Sequence, residues 1–202
     1  MRLIVIDGLD GSGKDTQALL LRDYLKARGE RVVLRIHPSQ DNGFGRLSKK
    51  ALTKGGKAQR IMATLFYGLD VVRSVLLYCH GDGTVIFVRY TMACAYLPRP
   101  LIRPVYRIVN MLLPKSGEMF FLDVTPEEAL RRIQARGEAP EMFETLPHLE
   151  KARTRAMLIA GNWKVVDGNP APDVVFNNIL GALSKPDEIS AGERHLRARS
   201  LH

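Results

Sequence analysis

The sequence predicts an α/β fold in which a parallel β-sheet carries helices on both faces. Short runs of apolar and β-branched residues have the length and composition of buried parallel strands. They lie at Leu3–Ile6, Val32–Ile36, Thr84–Val88, Met119–Val124 and Trp163–Val166. Stretches with helical spacing separate these runs, and such alternation requires crossover connections that make the strands parallel and place helices on the two faces.

Helical signals fill the stretches between these strands. A first helix is expected after Lys14 and a final one near Asp173–Leu183, whereas Tyr90–Leu113 is typical of a helix interrupted by prolines. Thr125 is expected to cap a further helix, because proline follows it and a glutamate stands three residues later. The longest pattern predicts one more helix from apolar residues at Ile61, Leu65, Leu69, Val72 and Leu76.

The turn after the first strand has the pattern of a phosphate-binding loop. Gly8 is followed by four residues and then by Gly13 and Lys14. Glycines let backbone N–H groups turn inward around a phosphate, the next helix directs its positive end at the same point, and the lysine reaches the terminal phosphates. A glycine-rich turn with an incidental lysine is the alternative, but strand, loop, lysine and helix occur in the required order. The motif therefore predicts a nucleotide-binding site.

One position departs from this pattern. Serine or threonine normally follows the lysine, where its hydroxyl ligates Mg²⁺. This chain has Asp15 there, and Thr16 comes one position later. A carboxylate is a good hard ligand for Mg²⁺, so Asp15 is the candidate metal ligand.

Composition is that of a soluble globular domain. Hydrophobic residues make up 46% and charged residues 25% of the chain, no apolar run has the length of a membrane span, and the chain begins with a strand rather than a signal peptide. Cys79 and Cys94 are too few for a disulfide framework and lack zinc-site spacing. We therefore expect a cytoplasmic protein with reduced thiols and no membrane partner.

The charge balance is basic, with a net charge of +9 from 30 lysines and arginines against 21 aspartates and glutamates. Basic residues are scattered, and no basic run is interleaved with aromatic residues as in nucleic-acid-binding surfaces. Phosphorylated small ligands explain part of the excess equally well. No nucleic-acid partner is expected.

The chain resembles the thymidylate kinase family of P-loop nucleoside monophosphate kinases from about Arg2 to Leu183. The resemblance rests on the order and spacing of several segments: Gly8–Lys14, Leu65-Phe66, Arg89-Tyr90, Phe121–Arg132, Phe143-Glu144 and Asn162–Asp167. It implies a P-loop kinase fold with a five-stranded parallel sheet and a short lid at about 132–146. The domain is expected to span 1–184, followed by a polar, basic tail at 185–202.

The resemblance also implies a reaction, the transfer of the γ-phosphoryl group of ATP to a nucleoside monophosphate, usually dTMP, with Mg²⁺. Homodimers are usual in the family. Lys14 would neutralise charge on the β- and γ-phosphates. Arg89 follows a strand end, where α/β sheets place ligands, and would hold the acceptor phosphate; an ordinary salt bridge is the alternative. ATP binding falls to the loop residues Gly8, Leu9, Asp10, Gly11, Ser12, Gly13, Lys14, Asp15 and Thr16.

The remaining candidate residues have two interpretations each. Arg132 and Arg136 share one helix face and are either catalytic lid arginines that fold over the phosphates or a solvated basic helix end. Phe66 is either a platform for the acceptor base or a core residue. Asp10 either accepts hydrogen bonds from the acceptor sugar or caps the loop backbone, and Tyr90 belongs to the acceptor site in the family's pattern.

Several departures from the family lie on the acceptor side. Val88 replaces the aspartate of the family's Asp-Arg-Tyr, and Asp70 stands where the family has an arginine that reads the thymine edge. Because a carboxylate accepts hydrogen bonds, Asp70 is expected to favour a base with an amino group. The leading hypothesis is a kinase for a nucleoside monophosphate. The alternatives are a nucleotide-binding protein without turnover, and a kinase for another small phosphate acceptor or one that uses polyphosphate.

Overall fold

A five-stranded, all-parallel sheet forms the centre of the protein, and the computed structural model describes residues 1–54, 57–136 and 144–183. The strands are β1 (Arg2–Gly8), β2 (Val32–Ile36), β3 (Thr84–Val88), β4 (Glu118–Asp123) and β5 (Lys164–Asp167). Their spatial order is β2-β3-β1-β4-β5. The predicted fold class is confirmed, and each apolar run that predicted a strand forms one.

The central strand β1 pairs with β3 on one side and with β4 on the other. Ile6 is in register with Val88, and Gly8 is in register with Leu122. The segments that follow β1 and β3 therefore leave the sheet side by side at its carboxyl edge, where ligands bind in open α/β sheets.

Helices pack on both faces of this sheet. The helices of the described residues are α1 (Lys14–Ala27), α2 (Gly43–Lys54), α3 (Lys57–Tyr78), α4 (Arg99–Leu112), α5 (Pro126–Ala135), α6 (Leu146–Met157) and α7 (Pro172–Ala182). The segment expected to be a broken helix forms a short 3₁₀ segment, Met92–Tyr96, and then α4. The sequence patterns do not predict helices α2 and α6. Helix α2 contains glycines, which have low helix propensity, and α6 begins without a side-chain cap.

Alternate residues of each strand point to opposite faces and bury two hydrophobic cores. On one face, Val5 and Phe87 pack with residues of α3 and α4. On the other face, Ile6 and Leu122 pack with residues of α1 and α7. The sheet is therefore covered on both sides, which explains why its strands are continuous apolar runs rather than alternating ones.

Helix α3 buries a different face from the one that its apolar pattern indicates. Four residues of the pattern lie outside, with exposures from 43% for Val72 to 65% for Leu76; the other two are Leu65 and Leu69. The buried face includes Asp70, Val71 and Ser74 instead. Buried polar side chains need hydrogen-bond partners, and those of Asp70 come from a distant loop that sequence periodicity does not reveal.

The predicted cap of α5 is present. The hydroxyl oxygen of Thr125 accepts a hydrogen bond from the N–H of Glu128 at 3.4 Å, and Pro126 occupies the first turn. The Thr125 N–H also donates to the Asn169 side chain at 3.0 Å. The start of α5 is therefore tied to the loop between β5 and α7.

Two predicted segments lie largely or wholly outside the described residues. Positions 137–143 of the expected lid are outside them, and so is the whole of the expected tail at 185–202. Both segments stay predictions. Among the helices that the structure does describe, none combines the length and hydropathy that a membrane crossing requires.

Candidate active site

The loop between β1 and α1 is packed closely enough to require glycine. Gly11 and Gly13 have φ values of 80° and 82°, which side-chain-bearing residues rarely adopt. A Cβ on Gly11 would lie 2.4 Å from the Ala129 carbonyl oxygen, and one on Gly8 would lie 2.7 Å from that of Leu122. The loop thus sits directly on β4 and α5, and the first turn of α1 directs its N–H groups and the positive end of its dipole into the loop.

Lys14 is buried at the start of α1. Its Nζ donates to the Leu9 carbonyl at 2.8 Å and lies 3.3 Å from Oδ1 of Asp10. Burial and the nearby charge of Arg89 lower the pKa of Lys14, while the carboxylates of Asp10 and Asp15 act in the opposite direction. The ammonium group is thus held inside the loop, at the position where the motif requires a phosphate-binding cation.

Arg89 brings a second cation to the same place from the end of β3. Its Nη1 lies 3.1 Å from Oδ1 of Asp15, and its Nη2 lies 3.4 Å from Oδ1 of Asp10. Burial opposes the charged form, but the two carboxylates raise the pKa of Arg89 above its ordinary value. The structure therefore brings together Lys14, Arg89, Asp10 and Asp15 at the carboxyl edge of the sheet.

Asp10 lies between the two cations. Burial alone would raise its pKa, but the charges of Lys14 and Arg89 outweigh burial and lower it to about 2. The hydroxyl of Tyr96 also donates to its Oδ2 at 3.3 Å. Both carboxylate oxygens are engaged, and the carboxylate is negative throughout the neutral pH range.

Asp15, the candidate metal ligand, is paired with Arg89 and has a side chain that is 48% exposed. In the described part of the chain, no group of three or more His, Cys, Asp or Glu side chains is arranged to hold a metal ion. Mg²⁺ in kinase sites is bound through one or two carboxylates together with substrate phosphates. An exposed carboxylate beside the phosphate loop fits that requirement, and the metal role of Asp15 stays a prediction.

A cavity of about 410 Å³ opens beside the phosphate loop. Its walls come from the loop and α1, from residues 168–172 after β5, and from Arg132. Gln17 joins two of these walls, because its Nε2 donates to the Pro172 carbonyl at 2.8 Å. The volume lies within the range of small-molecule sites. The cavity adjoins the predicted phosphate position, as expected for a pocket that receives the base of a nucleotide.

Arg132 forms part of this wall. Its Nε donates to Glu128 at 2.7 Å, and its two terminal nitrogens donate to the carbonyls of Gly168 at 2.9 Å and Asn169 at 2.8 Å. The guanidinium is therefore not a freely solvated helix end, and the lid role of Arg132 stays a prediction. Arg132 thus connects one side-chain oxygen of α5 with two carbonyl oxygens of the loop after β5, and these bonds fix the shape of the cavity.

Arg136 lies at the end of α5, where the described residues stop. Its Nη1 is 3.8 Å from Oε1 of Glu144, which is buried on the other side of the gap. The residues between them, 137–143, are outside the described part of the chain. The lid role of Arg136 therefore stays a prediction.

Tyr90 is not placed to bind an acceptor. Its side chain is 3% exposed within the hydrophobic core, and its hydroxyl donates to the Pro114 carbonyl at 3.1 Å. Arg89 turns its side chain toward the loop, so the next residue in the chain points back into the core. The prediction that Tyr90 contacts the acceptor is wrong for this structure.

Asp70 is also directed away from any ligand. It is fully buried, and its oxygens accept hydrogen bonds from the N–H and hydroxyl of Ser39 at 2.6 and 2.5 Å and from the Asn42 amide at 2.7 Å. These bonds hold the loop that follows β2. A carboxylate with both oxygens occupied by the protein cannot read a base, so the predicted contact of Asp70 with the acceptor is replaced by a role in ordering this loop.

Phe66 keeps its candidate status. Its side chain is half-buried, and it belongs to none of the buried clusters of the described residues. Leu69 and Val72, whose spacing favoured a core position for Phe66, are themselves 47% and 43% exposed. Its role as a platform for the acceptor base stays a prediction.

The sequence did not single out three residues of the site. Tyr96 contacts Asp10, Asp7 accepts N–H groups from the segment after β3, and Tyr67 donates to the Arg89 carbonyl. Asp7 had a detectable signal, because it is an acidic residue at the end of an apolar strand. Tyr67 and Tyr96 had none, since their contacts depend on how distant segments pack.

Two cations therefore lie close together at the carboxyl edge of the sheet. Lys14 belongs to the glycine loop after β1, and Arg89 follows the adjacent strand β3. A cavity of nucleotide size opens on one side of them. This is the architecture of a P-loop nucleotide kinase, in which one strand-loop-helix unit binds the phosphate donor and neighbouring elements bind the acceptor.

Comparison with known proteins shows which family of P-loop nucleotide kinases the chain belongs to. The family model for thymidylate kinase matches residues 6–179, and the chain belongs to the thymidylate kinase family. A thymidylate kinase of Xanthomonas euvesicatoria is 32% identical over 206 residues, covering 96% of this chain and 88% of that protein. A probable thymidylate kinase of Pyrococcus abyssi is 28% identical over 191 residues, covering 88% and 93%.

A solved structure is similar in fold. The thymidylate kinase of Candida albicans superposes with a TM-score of 0.69 at 22% identity, and the match covers 96% of this chain and 93% of that one. The similarity extends over nearly the whole of both chains, which supports a common arrangement of sheet and helices.

Proposed function

We propose that the protein is an ATP-dependent kinase that phosphorylates a nucleoside monophosphate, with dTMP as the first acceptor to test. The observation that carries this proposal is the convergence of Lys14 and Arg89 beside the phosphate loop, with the Asp10 carboxylate between them. Phosphoryl transfer requires little more than positioned cations around in-line oxygens. Membership of the thymidylate kinase family supports the same reaction.

The two cations have separate tasks in this proposal. Lys14, inside the loop, neutralises charge on the β- and γ-phosphates of ATP as the γ-phosphoryl group leaves. Arg89, at the next strand end, holds the phosphate of the acceptor in line with that group. The cavity walled by Arg132 receives the adenine, so the donor nucleotide lies along the loop.

Mg²⁺ belongs to the proposal as the partner of ATP. When bound, it neutralises part of the charge on the phosphates, and Asp15 is the residue that would hold it. Asp15 stands in the first turn of α1 and reaches past the loop to Arg89. A phosphate that binds Arg89 would compete with Asp15 and leave its carboxylate free.

A nucleotide-binding protein without turnover is the second candidate, and one observation favours it. Val88 stands where the family has a carboxylate, and its side chain is fully buried with Ile6 and Ile36 in neighbouring strands. No carboxylate thus occupies the end of β3. Asp7, buried at the end of β1, is engaged by three backbone N–H groups.

Product formation from a panel of acceptors tests these candidates. Purified protein is incubated with Mg-ATP and dTMP, dUMP, dCMP, dGMP, dAMP or the ribonucleotides, and the diphosphates are separated by chromatography; polyphosphate replaces ATP in a parallel series. We expect ADP and one diphosphate in equal amounts. ATP binding by calorimetry without any diphosphate would favour the second candidate. Transfer only to an acceptor outside the panel, or only from polyphosphate, would favour a kinase of another class.

We also propose that the protein forms a homodimer through α3 and acts in the cytoplasm, without nucleic-acid or membrane partners. The outward stripe of α3 is apolar between residues 62 and 76, at Met62, Leu65, Leu69, Val72 and Leu76. Contiguous apolar surface of this kind marks interaction sites. Light scattering after gel filtration should give the mass of a dimer. Leu76→Asp should yield monomers, and Met111→Asp on α4, which is 76% exposed, should not.

A further inference from the structure

The backbone of Arg89 has an unusual conformation. Its φ is 58°, and in the described part of the chain it is the one non-glycine residue with a positive φ. Residues with a Cβ adopt this region rarely. Such a conformation persists only when surrounding contacts over-determine it, and these contacts concentrate at functional sites.

Two residues, Tyr67 and Asp7, form hydrogen bonds to the backbone at Arg89 and just after it. The hydroxyl of Tyr67, from α3, donates to the Arg89 carbonyl oxygen. Oδ2 of the buried Asp7, at the end of β1, accepts from the N–H groups of Tyr90 at 3.0 Å and Met92 at 3.3 Å. The turn at Arg89 is therefore fixed from α3 and from the central strand, while its guanidinium contacts Asp10 and Asp15.

We propose that Tyr67 is a positioning residue for the acceptor half of the reaction, because its hydroxyl fixes the Arg89 carbonyl and thereby aims the Arg89 guanidinium at the phosphate loop. The proposal deepens the kinase function and rests on it. Without this hydrogen bond, the turn at Arg89 is held only from the side of Asp7, and the guanidinium is positioned less firmly beside Asp10 and Asp15.

Core packing explains the aromatic ring of Tyr67 but does not explain its hydroxyl group. The ring packs against the same core as Phe87 and stands edge-on to His37, with 6.4 Å between ring centroids. Phenylalanine would serve that purpose equally well. Burial raises the pKa of Tyr67 well above its ordinary value, so the hydroxyl keeps its proton at neutral pH and remains a donor.

Tyr67→Phe tests the proposal, with Tyr106→Phe as its matched control. The Tyr106 hydroxyl is also hydrogen-bonded in this core, to Nε1 of Trp163 at 2.7 Å, but it does not touch the site. We expect Tyr67→Phe to raise the KM for the acceptor about tenfold, as the loss of one hydrogen bond allows. The KM for ATP and the melting temperature should change no more than in Tyr106→Phe. An unchanged acceptor KM, or equal losses for ATP and acceptor, would overturn the proposal.

A double-mutant cycle with Arg89→Ala shows whether Tyr67 acts through Arg89. If it does, Tyr67→Phe has no further effect on the acceptor kcat/KM once Arg89 is alanine. Additive losses would mean that Tyr67 supports the fold alone.

A readout that needs no turnover separates this proposal from the kinase function. Hydrogen exchange at the Arg89 Nη–H groups, which contact Asp15 and Asp10, followed by ¹⁵N NMR, should be slow in the wild type and at least about tenfold faster in Tyr67→Phe. Equal exchange in the two proteins refutes the positioning role even in an active kinase. Faster exchange in a protein that phosphorylates no acceptor refutes the kinase function and leaves the geometry of Arg89 supported.

Discussion

Nη1 of Arg89 lies 3.1 Å from Oδ1 of Asp15. The residue that replaces the usual hydroxyl of the phosphate loop thus pairs with the cation expected to hold the acceptor phosphate. One ion pair links the phosphate loop to the end of β3, so we expect that a ligand on one side changes the charge available on the other.

Asp15→Ser is expected to weaken the coupling between metal and nucleotide. With a carboxylate at this position, ATP is repelled when no metal is bound, so ATP affinity should depend steeply on Mg²⁺ in the wild type. Calorimetric titration of ATP with and without Mg²⁺ should show a smaller ratio of affinities in Asp15→Ser. Asp23→Ser, on the exposed side of α1, is the control, and an unchanged ratio in Asp15→Ser would exclude a metal role.

Lys14→Ala should reduce transfer by at least about a hundredfold, the usual loss on removing a main electrostatic stabiliser. The change is measured as kcat under saturating Mg-ATP. Lys26→Ala, in the last turn of the same helix, should be near wild type. Retention of most activity by Lys14→Ala would refute the donor-site assignment.

Arg132→Ala should weaken ATP binding and spare the acceptor. The substitution leaves the carbonyls of Gly168 and Asn169 without their donors, so the loop that forms one wall of the cavity loosens. We expect the KM for ATP to rise about tenfold or more, with the acceptor KM within about twofold of wild type. Arg22→Ala, a half-buried arginine on α1 that does not line the cavity, controls for loss of charge. Equal changes in both KM values would contradict a wall role.

Acid should destabilise the wild type more than Asp10→Asn. The pKa of Asp10 is lowered to about 2 in the folded protein, below its value in the unfolded chain. Its contribution is therefore fully present above about pH 4 and is lost as the pH falls through 2. Urea unfolding at pH 7, 4, 3 and 2 should show the wild type losing about 2 kcal/mol more than Asp10→Asn over this range. Parallel pH profiles would show that the cations do not act on Asp10.

Asp70→Asn should lower the free energy of unfolding by about 1–3 kcal/mol, because one amide nitrogen replaces an oxygen that accepts from Ser39 and Asn42. Denaturant unfolding measures this change. Asp82→Asn, with a side chain that is 90% exposed, is the control and should change little. Wild-type stability combined with an altered base preference would restore the predicted contact between Asp70 and the acceptor.

The sheet was predictable because its strands are short apolar runs. The inner strands β1 and β3 are buried on both faces, and the edge strands β2 and β5 keep enough apolar residues to show the same signal. The phosphate loop, Lys14 and Arg89 were predictable because their places depend on the chain immediately before them: the loop follows β1, and Arg89 follows β3. These residues needed no knowledge of how helices pack.

The errors arose where a role depends on a distant partner. Asp70 and Tyr90 were assigned to the acceptor from their places in the family's pattern, but hydrogen bonds to Ser39 and Pro114 direct them inward. The same limit applies to Arg132, whose backbone partners Gly168 and Asn169 lie 36 and 37 residues further along the chain, in the loop after β5. Spacing along a helix gives no information on such contacts.

The contact of Gly11 with Ala129 sets a length scale for the donor. Helix α5 rests on the phosphate loop at Ala129, and one turn later the same helix carries Arg132 to the wall of the cavity. Because the same helix contacts both, the phosphate loop and the cavity wall keep a fixed separation. We expect a nucleotide whose phosphates occupy the loop to place its base against this wall, because one helix carries both contacts.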